Sequence, residues 1–384
     1  MKNLLVFLLL TEFTSASFLS GVDLSASEFF ESFGAIYRDE HGQSMDIFEM
    51  MKINTIDIIR LRLFTSNEKQ AQQDPYDYGN TLNSTLRLAH RVKTHGFQFM
   101  LDFHYSDTWA DPSHQRKPST WANLTFDQLN QTLYNYTRDS LLTFVQQNII
   151  PEYIQIGNEI NNGMLWPDGS IKTNWPQFVT LLSTASRAVR LVLQNQTKII
   201  VHSANSNNWI LAKNFFDHLI ATVDFDIIGL SYYPYWDGGF TGLRYCLEQL
   251  TQTYNKQIFI VETNYRWKED PYGNDSMKNV TGFDETPLGQ MQYAEYLEHL
   301  LFNSTDNRRD TALFWWGTEY FPVQKFNKSR NFNRSFFNTS GIALPIVKSF
   351  GKFKFETVHT RLLKKSQTQF NRNKFYKQFF LSIH

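Results

Sequence analysis

Two glutamates carry most of the chemistry in this 384-residue chain. Glu159 follows the apolar run Tyr153-Ile154-Gln155-Ile156 through Gly157-Asn158, and Asn161, Asn162, Gly163 and Trp166 come next. Glu262 follows Ile258-Phe259-Ile260-Val261 and precedes Thr263, Tyr265 and Trp267. Each carboxyl stands where a β-rich run gives way to polar and aromatic loop. Two carboxyls facing each other across a sugar can break a glycosidic bond, one as acid/base and the other as nucleophile. Retention needs them about 5–5.5 Å apart. An amide beside the acid, here Asn158, can bond the 2-hydroxyl, and a Trp can offer a flat apolar face to a pyranose. The bland alternative for either Glu alone is a buried structural group or a surface polar residue. Two independent occurrences at strand ends weigh against it.

Other residues fit a sugar cleft less specifically. Arg60 and Arg62 share one face of a strand by period two, and Arg62 is nearer its end. Arg62 is therefore expected to hold Glu262 ionised, with a surface ion pair as the plain alternative. His104 and His202 end two other strands, and Tyr232 ends a third, placed to bond the nucleophile or merely to pack. Asp111 and His114 lie in a long loop and can bond sugar hydroxyls. Trp267 and Trp315, with Trp166 and Trp316, are stacking candidates, most of which must fill core. No His-x-His or His-Glu-x-x-His spacing is present, so neither a metal nor another cofactor is expected.

The elements that must position these groups alternate. Strands are predicted at 18–24, 56–64, 97–104, 153–156, 198–203, 225–233, 257–263 and 311–316. Helices are predicted at 44–52, 82–95, 126–148, 175–193, 209–221, 243–254, 290–302 and 345–350. Strand–helix alternation means parallel pairing. Eight units predict a single (β/α)8 TIM barrel, with reacting groups at the carboxyl ends of strands. An open doubly wound sheet is the alternative, but no Gly-rich phosphate turn follows an early strand. Glu159 and Glu262 then end the fourth and seventh strands, facing each other across the mouth.

Composition sets the setting. Lys+Arg and Asp+Glu are both 37, so nothing in the charge balance argues for nucleic acid or an acidic membrane surface. Residues 1–17 read as a signal peptide: Lys2, the apolar run Leu4–Leu10, then Ser15-Ala16-Ser17. The apolar run is too short to span a bilayer. Cys246 is the only cysteine, which rules out an internal disulfide and reads as a small buried group. Asn-X-Ser/Thr sequons are frequent, among them Asn83, Asn123, Asn130, Asn135 and Asn195. With the leader, they predict a secreted, extracellular glycoprotein. The barrel is expected over 18–355. Residues 356–384, basic and without the barrel pattern, are expected to be an appended tail.

The chain resembles glycoside hydrolase family 53, the arabinogalactan endo-β-1,4-galactanases. The resemblance rests on Gly21-Val22-Asp23-Leu24-Ser25, Arg60-Leu61-Arg62-Leu63 and the run Leu101-Asp102-Phe103-His104-Tyr105-Ser106-Asp107-Thr108-Trp109-Ala110-Asp111-Pro112. It continues through His114-Gln115, the stretch from Gln155 to Pro167, Val261-Glu262-Thr263 with Tyr265 and Trp267, and Gly341-Ile342-Ala343-Leu344-Pro345. It spans about Gly21 to Phe350. It implies the same barrel, Glu159 as acid/base, Glu262 as nucleophile, and a monomer acting on plant cell-wall galactan. Phe64-Thr65-Ser66 stand where the family usually has Trp, Asn and Pro, which puts distant subsite contacts in question. Some bacterial members bind calcium after the seventh strand; Glu269, Asp270, Asp275, Asp284 and Glu285 here lack clear ligand spacing. The other readings are a barrel glycanase for mannan or xylan, and a carbohydrate-binding relative without catalysis.

Overall fold

The computed structural model describes residues 17–73, 79–269, 280–305, 309–323 and 332–352. Residues 1–16 of the expected leader (1–17) and the tail (356–384) lie outside the described residues. Eight parallel strands close on themselves: β1 Phe18–Asp23, β2 Ile58–Leu63, β3 Gln98–Phe103, β4 Tyr153–Ile156, β5 Lys198–Ser203, β6 Ile227–Tyr232, β7 Gln257–Thr263 and β8 Thr311–Trp315. Each pairs with its neighbours in chain order, and β1 pairs with β8 to complete the ring. Setting aside short helical pieces in the loops, a flanking helix follows each strand: α1 Ile47–Ile53, α2 Leu82–Thr94, α3 Phe126–Gln146, α4 Trp175–Leu193, α5 Trp209–Asp217, α6 Phe240–Thr253, α7 Pro287–Ser304 and α8 Ile346–Ser349. The expected (β/α)8 barrel is the fold.

Helix starts follow local chemistry. Thr81, Thr125, Asn174, Asn208 and Thr286 each accept a backbone N–H of the first turn through a side-chain oxygen. Thr125 and Gln128 form a reciprocal capping box. The loops hold short pieces that periodicity misses, including helical turns at Ser27–Ser32 and Pro234–Asp237, and a hairpin of Gly163–Met164 with Gly169–Ser170.

The strands carry two apolar layers. Outward residues such as Ile59, Leu61, Phe99, Leu101, Ile154 and Leu230 join the large core beneath the helices. Inward residues Ile58, Met100, Tyr153, Ile200, Ile227, Phe259, Val261, Ala312 and Phe314 plug the lower barrel. Above the plug the inner face turns polar: Asp23, Arg60, Arg62, Asp102, His104, Gln155, His202 and Ser231 are all buried. The plug is tight. A Cβ on Gly21 would lie 2.2 Å from the Phe314 ring, so only glycine fits there.

Candidate active site

Glu262 is aimed by a break in register. Leu230 pairs with Ile260, but the next pair is Ser231 with Glu262. Val261 is the extra residue of this bulge, so both Val261 and Glu262 face the barrel interior. Arg60 Nη2 lies 2.8 Å from Glu262 Oε1, and the Tyr233 hydroxyl donates to Oε2 at 2.8 Å. One carboxylate oxygen thus faces a guanidinium charge and the other accepts a hydrogen bond.

Arg60 is the hub. It is fully buried, and its Nη1 reaches Asp23 at 3.0 Å, while Nη2 reaches Asp102 at 2.7 Å and Asn158 Oδ1 at 3.0 Å. Arg62, expected to hold Glu262, does not. Its Nε donates to Asn80 at 3.3 Å, its Nη1 is 3.5 Å from Asp23, and its guanidinium lies 4.1 Å over the Trp109 ring. Both arginines do face inward. Arg60 starts about 6.6 Å deeper, and its side chain rises that distance to the level of the carboxylate. Arg62, already at the rim, turns sideways onto the loop after β3.

Glu159 stands opposite, on a backbone few residues adopt. Its φ is 49°, and Gly157 two residues earlier has φ 99°. A non-glycine residue held left-handed costs of order 1–3 kcal/mol and marks a constrained position. The turn is tied by Ile160 N–H to His202 O at 3.0 Å and by Gln115 Nε2 to Asn158 O at 2.8 Å. The Ser231 hydroxyl donates to Glu159 Oε1 at 2.6 Å.

The two carboxyls differ electrically. Burial raises Glu159 well above the usual carboxylate range, and the Glu262 charge raises it further. Burial raises Glu262 too, but the Arg60 charge and the Tyr233 hydrogen bond pull it back. When the pair shares one proton, Glu159 holds it. For Asp102, burial opposes the charge, but Arg60 and His104 win and hold it below its ordinary value. Burial, then the Arg60 charge, holds His202 well below the ordinary imidazole range, so the ring is neutral.

The other expected contacts divide. Asn158 is 5% exposed; Oδ1 accepts from Arg60 and Gln155, and Nδ2 donates to Ala110 O at 2.7 Å, leaving one amide hydrogen for a ligand. His104 and His202 are buried and bonded within the protein. His104 Nδ1 accepts from Ala110 N–H at 3.0 Å and Nε2 faces Asp102 at 3.0 Å, so it holds the loop after β3. Asp111 and His114 pair at 2.9 Å at the rim. Tyr232, expected to bond Glu262, does not: it faces outward, and its hydroxyl donates to Gly238 O at 2.8 Å. Its neighbour Tyr233, of opposite parity, makes that contact. Trp315 is also outward, wholly buried among Tyr293, Phe336 and Phe350, with its indole N–H on Arg334 O at 2.9 Å. It is core, not a stacking face. Trp267 is half-buried, and its indole donates to Phe332 O at 3.2 Å.

The sequence does not single out Arg60 as the partner of Glu262, Tyr233 as its donor, or Ser231 as the donor to Glu159. Strict alternation from Ile227 would have put Ser231 and Tyr233 inside and Tyr232 outside. Among the described residues, Trp236 is an exposed aromatic at this rim, 74% exposed, with its ring 5.4 Å from that of Tyr233. Among the described residues no group of three or more His, Cys, Asp or Glu is placed to hold a metal ion.

A closed parallel barrel with two buried, unequally tuned carboxyls at the carboxyl ends of its strands carries the pair of groups that glycosidic cleavage uses. The chain belongs to glycosyl hydrolase family 53, whose profile matches residues 19–350. The Ignisphaera aggregans GH53 catalytic domain superposes with a TM-score of 0.80 at 36% identity, covering 86% of this chain and 95% of that one. A structure from a study of two fungal β-1,4-galactanases gives 0.77 at 29% identity, covering 87% and 99%. The arabinogalactan endo-β-1,4-galactanase A of Aspergillus niger is 31% identical over 304 residues, 77% of this chain and 83% of its own length.

Proposed function

We propose that this chain is a secreted endo-β-1,4-galactanase that cleaves the (arabino)galactan of plant pectin with retention, Glu159 acting as acid/base and Glu262 as nucleophile. The observation that carries the reading is the unequal environment of the two carboxyls. Glu262 has Arg60 on one oxygen and Tyr233 on the other, groups that favour its charge. Glu159 sits in a site that favours its proton. In the first step Glu262 attacks the anomeric carbon while Glu159 protonates the departing glycosidic oxygen. In the second, ionised Glu159 takes a proton from water, which displaces Glu262 and regenerates both groups. The free amide hydrogen of Asn158 is available to the 2-hydroxyl, and Trp236 offers its ring face to a sugar further along the cleft. Galactan as substrate is supported by the relatives' names. Export is supported by residues 1–17; no helix among the described residues is long and apolar enough to cross a membrane.

Hydrolysis of galactan, mannan, xylan and cellulose, read as new reducing ends, tests substrate class. New ends from mannan or xylan alone would overturn the galactan assignment, and binding without cleavage would overturn catalysis. Azide tests the roles. Glu262→Ala with azide and an activated β-galactoside is expected to give the α-galactosyl azide, since one displacement replaces two. Rescue with inversion from Glu159→Ala instead would reverse the assignment.

A further inference from the structure

The Ser231 hydroxyl stands between two buried groups. Its Oγ is 2.6 Å from Glu159 Oε1 and 2.8 Å from His202 Nε2. Ser231 is 1% exposed and His202 is 0% exposed. The fold builds this contact from three strands: β4 ends at Glu159, β5 carries His202, and β6 carries Ser231 on its inner face. Gly229 lies one inward position below Ser231, packed between Ile200 and Val261. A Cβ there would come within 2.7 Å of Ile200.

The direction of the chain follows from counting donors and acceptors. The backbone N–H of Glu159 donates to His202 Nδ1 at 3.3 Å, which makes Nδ1 an acceptor. Asn158 Oδ1 also lies 3.0 Å from Nδ1. That oxygen already accepts from Arg60 Nη2 at 3.0 Å and from Gln155 Nε2 at 3.1 Å, which fills its two lone pairs. The two Nδ1 contacts call for opposite tautomers; because Asn158 Oδ1 is already supplied by two donors, we assign the single proton of neutral His202 to Nε2, aimed at Ser231 Oγ. Ser231 accepts that proton's hydrogen bond, and its own O–H goes to Glu159 Oε1.

We propose that Ser231, oriented by His202, is a positioning residue for the catalytic acid: it occupies Glu159 Oε1 as a donor, so the proton given to the glycosidic oxygen is carried on Oε2. This rests on Glu159 being the acid/base. No proton passes through Ser231 or His202, and the same bond persists when Glu159 is ionised. A donor to a carboxyl favours its charged form, so Ser231 offsets part of the upward push on Glu159. The charged and titratable groups that also face Glu159 are Glu262 on β7, Asp111 in the loop after β3, Arg60 on β2 and Tyr233 after β6. His202 in turn faces Arg60, Asp102 and His104.

The test is the pH dependence of kcat/KM for Ser231→Ala, with Ser231→Thr as the conservative variant. Ser231→Ala is expected to move the alkaline limb upward by about half to one pH unit, the size of one neutral hydrogen bond. It is also expected to slow galactan at least tenfold more than an aryl galactoside with a good leaving group, while Ser231→Thr restores the limb. A downward shift would show that Ser231 accepts from Glu159, and an unmoved limb would show no donation; either overturns the proposal. Should Ser231→Ala fail to fold, Ser231→Cys, a weaker donor of similar size, is expected to move the limb in the same direction. Glu159→Ala measured in parallel separates the two readings. Loss of the limb there, with no shift in Ser231→Ala, sinks only this proposal. An alkaline limb that survives Glu159→Ala sinks the acid assignment itself.

Discussion

Tyr232 and Tyr233 are adjacent, chemically identical and opposite in consequence. The Tyr233 hydroxyl donates to Glu262 Oε2, and the Tyr232 hydroxyl donates to Gly238 O on the far side of the sheet. Burial raises Tyr233 well above the usual phenol range, so it stays a donor throughout the working pH range. Removing it takes a stabilising hydrogen bond from ionised Glu262, the proposed nucleophile, so the Glu262 pKa rises. Activity needs that charge, so the acidic limb of kcat/KM should move upward in Tyr233→Phe, with about a tenfold loss at neutral pH. Tyr232→Phe should leave the limb in place. The reverse result would return the contact to Tyr232. At this scale the sequence made both glutamates legible, because each ended an apolar run in a loop signature. It hid their partners. Arg60 and Arg62 have the same type and parity, and only the reach of a long side chain from one layer down decides between them.

Elements were legible where they were long. The helices 82–95, 126–148 and 175–193 were read within a residue or two of their ends, because Thr81, Thr125 and Asn174 cap them and the apolar stripe persists for several turns. The turns at Ser27–Ser32 and Pro234–Asp237 are too short for a period to show. The bulge at Val261 was not legible either: Ile258 to Val261 is a continuous apolar run, and nothing in it says which residue is the extra one. The plug below is tight: Phe314 of β8 fills the space beside Gly21 of β1. Gly21→Ala forces its new methyl into that ring, and overpacking of this kind costs about 1–3 kcal/mol. A Tm several degrees lower is expected. Phe314→Leu in the Gly21→Ala background should recover part of the loss, giving a favourable coupling in a double-mutant cycle. Simple additivity would mean the two do not meet.

Across the whole molecule, chemistry and closure occupy opposite ends of the barrel. The carboxyl ends of the strands carry the polar inner face and the two carboxyls. At the other end the chain returns over β1, where a Cβ on Gly351 would lie 2.4 Å from Ser20 Oγ. Here sits a carboxyl with no part in the proposed reaction. Glu298 on α7 is 1% exposed, its Oε1 accepts from Gly351 N–H at 3.1 Å, and burial pushes its pKa up to about 8. Its folded-state pKa therefore exceeds the unfolded value of about 4.3. The folded state binds the extra proton between these values, so stability falls as pH rises from about 4.3 through about 8. Below the lower value both states are protonated and Glu298 costs nothing. Glu298→Gln keeps a carbonyl to accept from Gly351 and removes the titration. It is expected to match the parent in Tm at pH 4 and to exceed it by a few degrees at pH 8, with kcat unchanged because the site lies at the other end. A variant less stable at pH 8 would mean that the charge of Glu298 is held by a partner and contributes to the fold. A pH-independent difference would mean that amide packing, not ionisation, sets the effect.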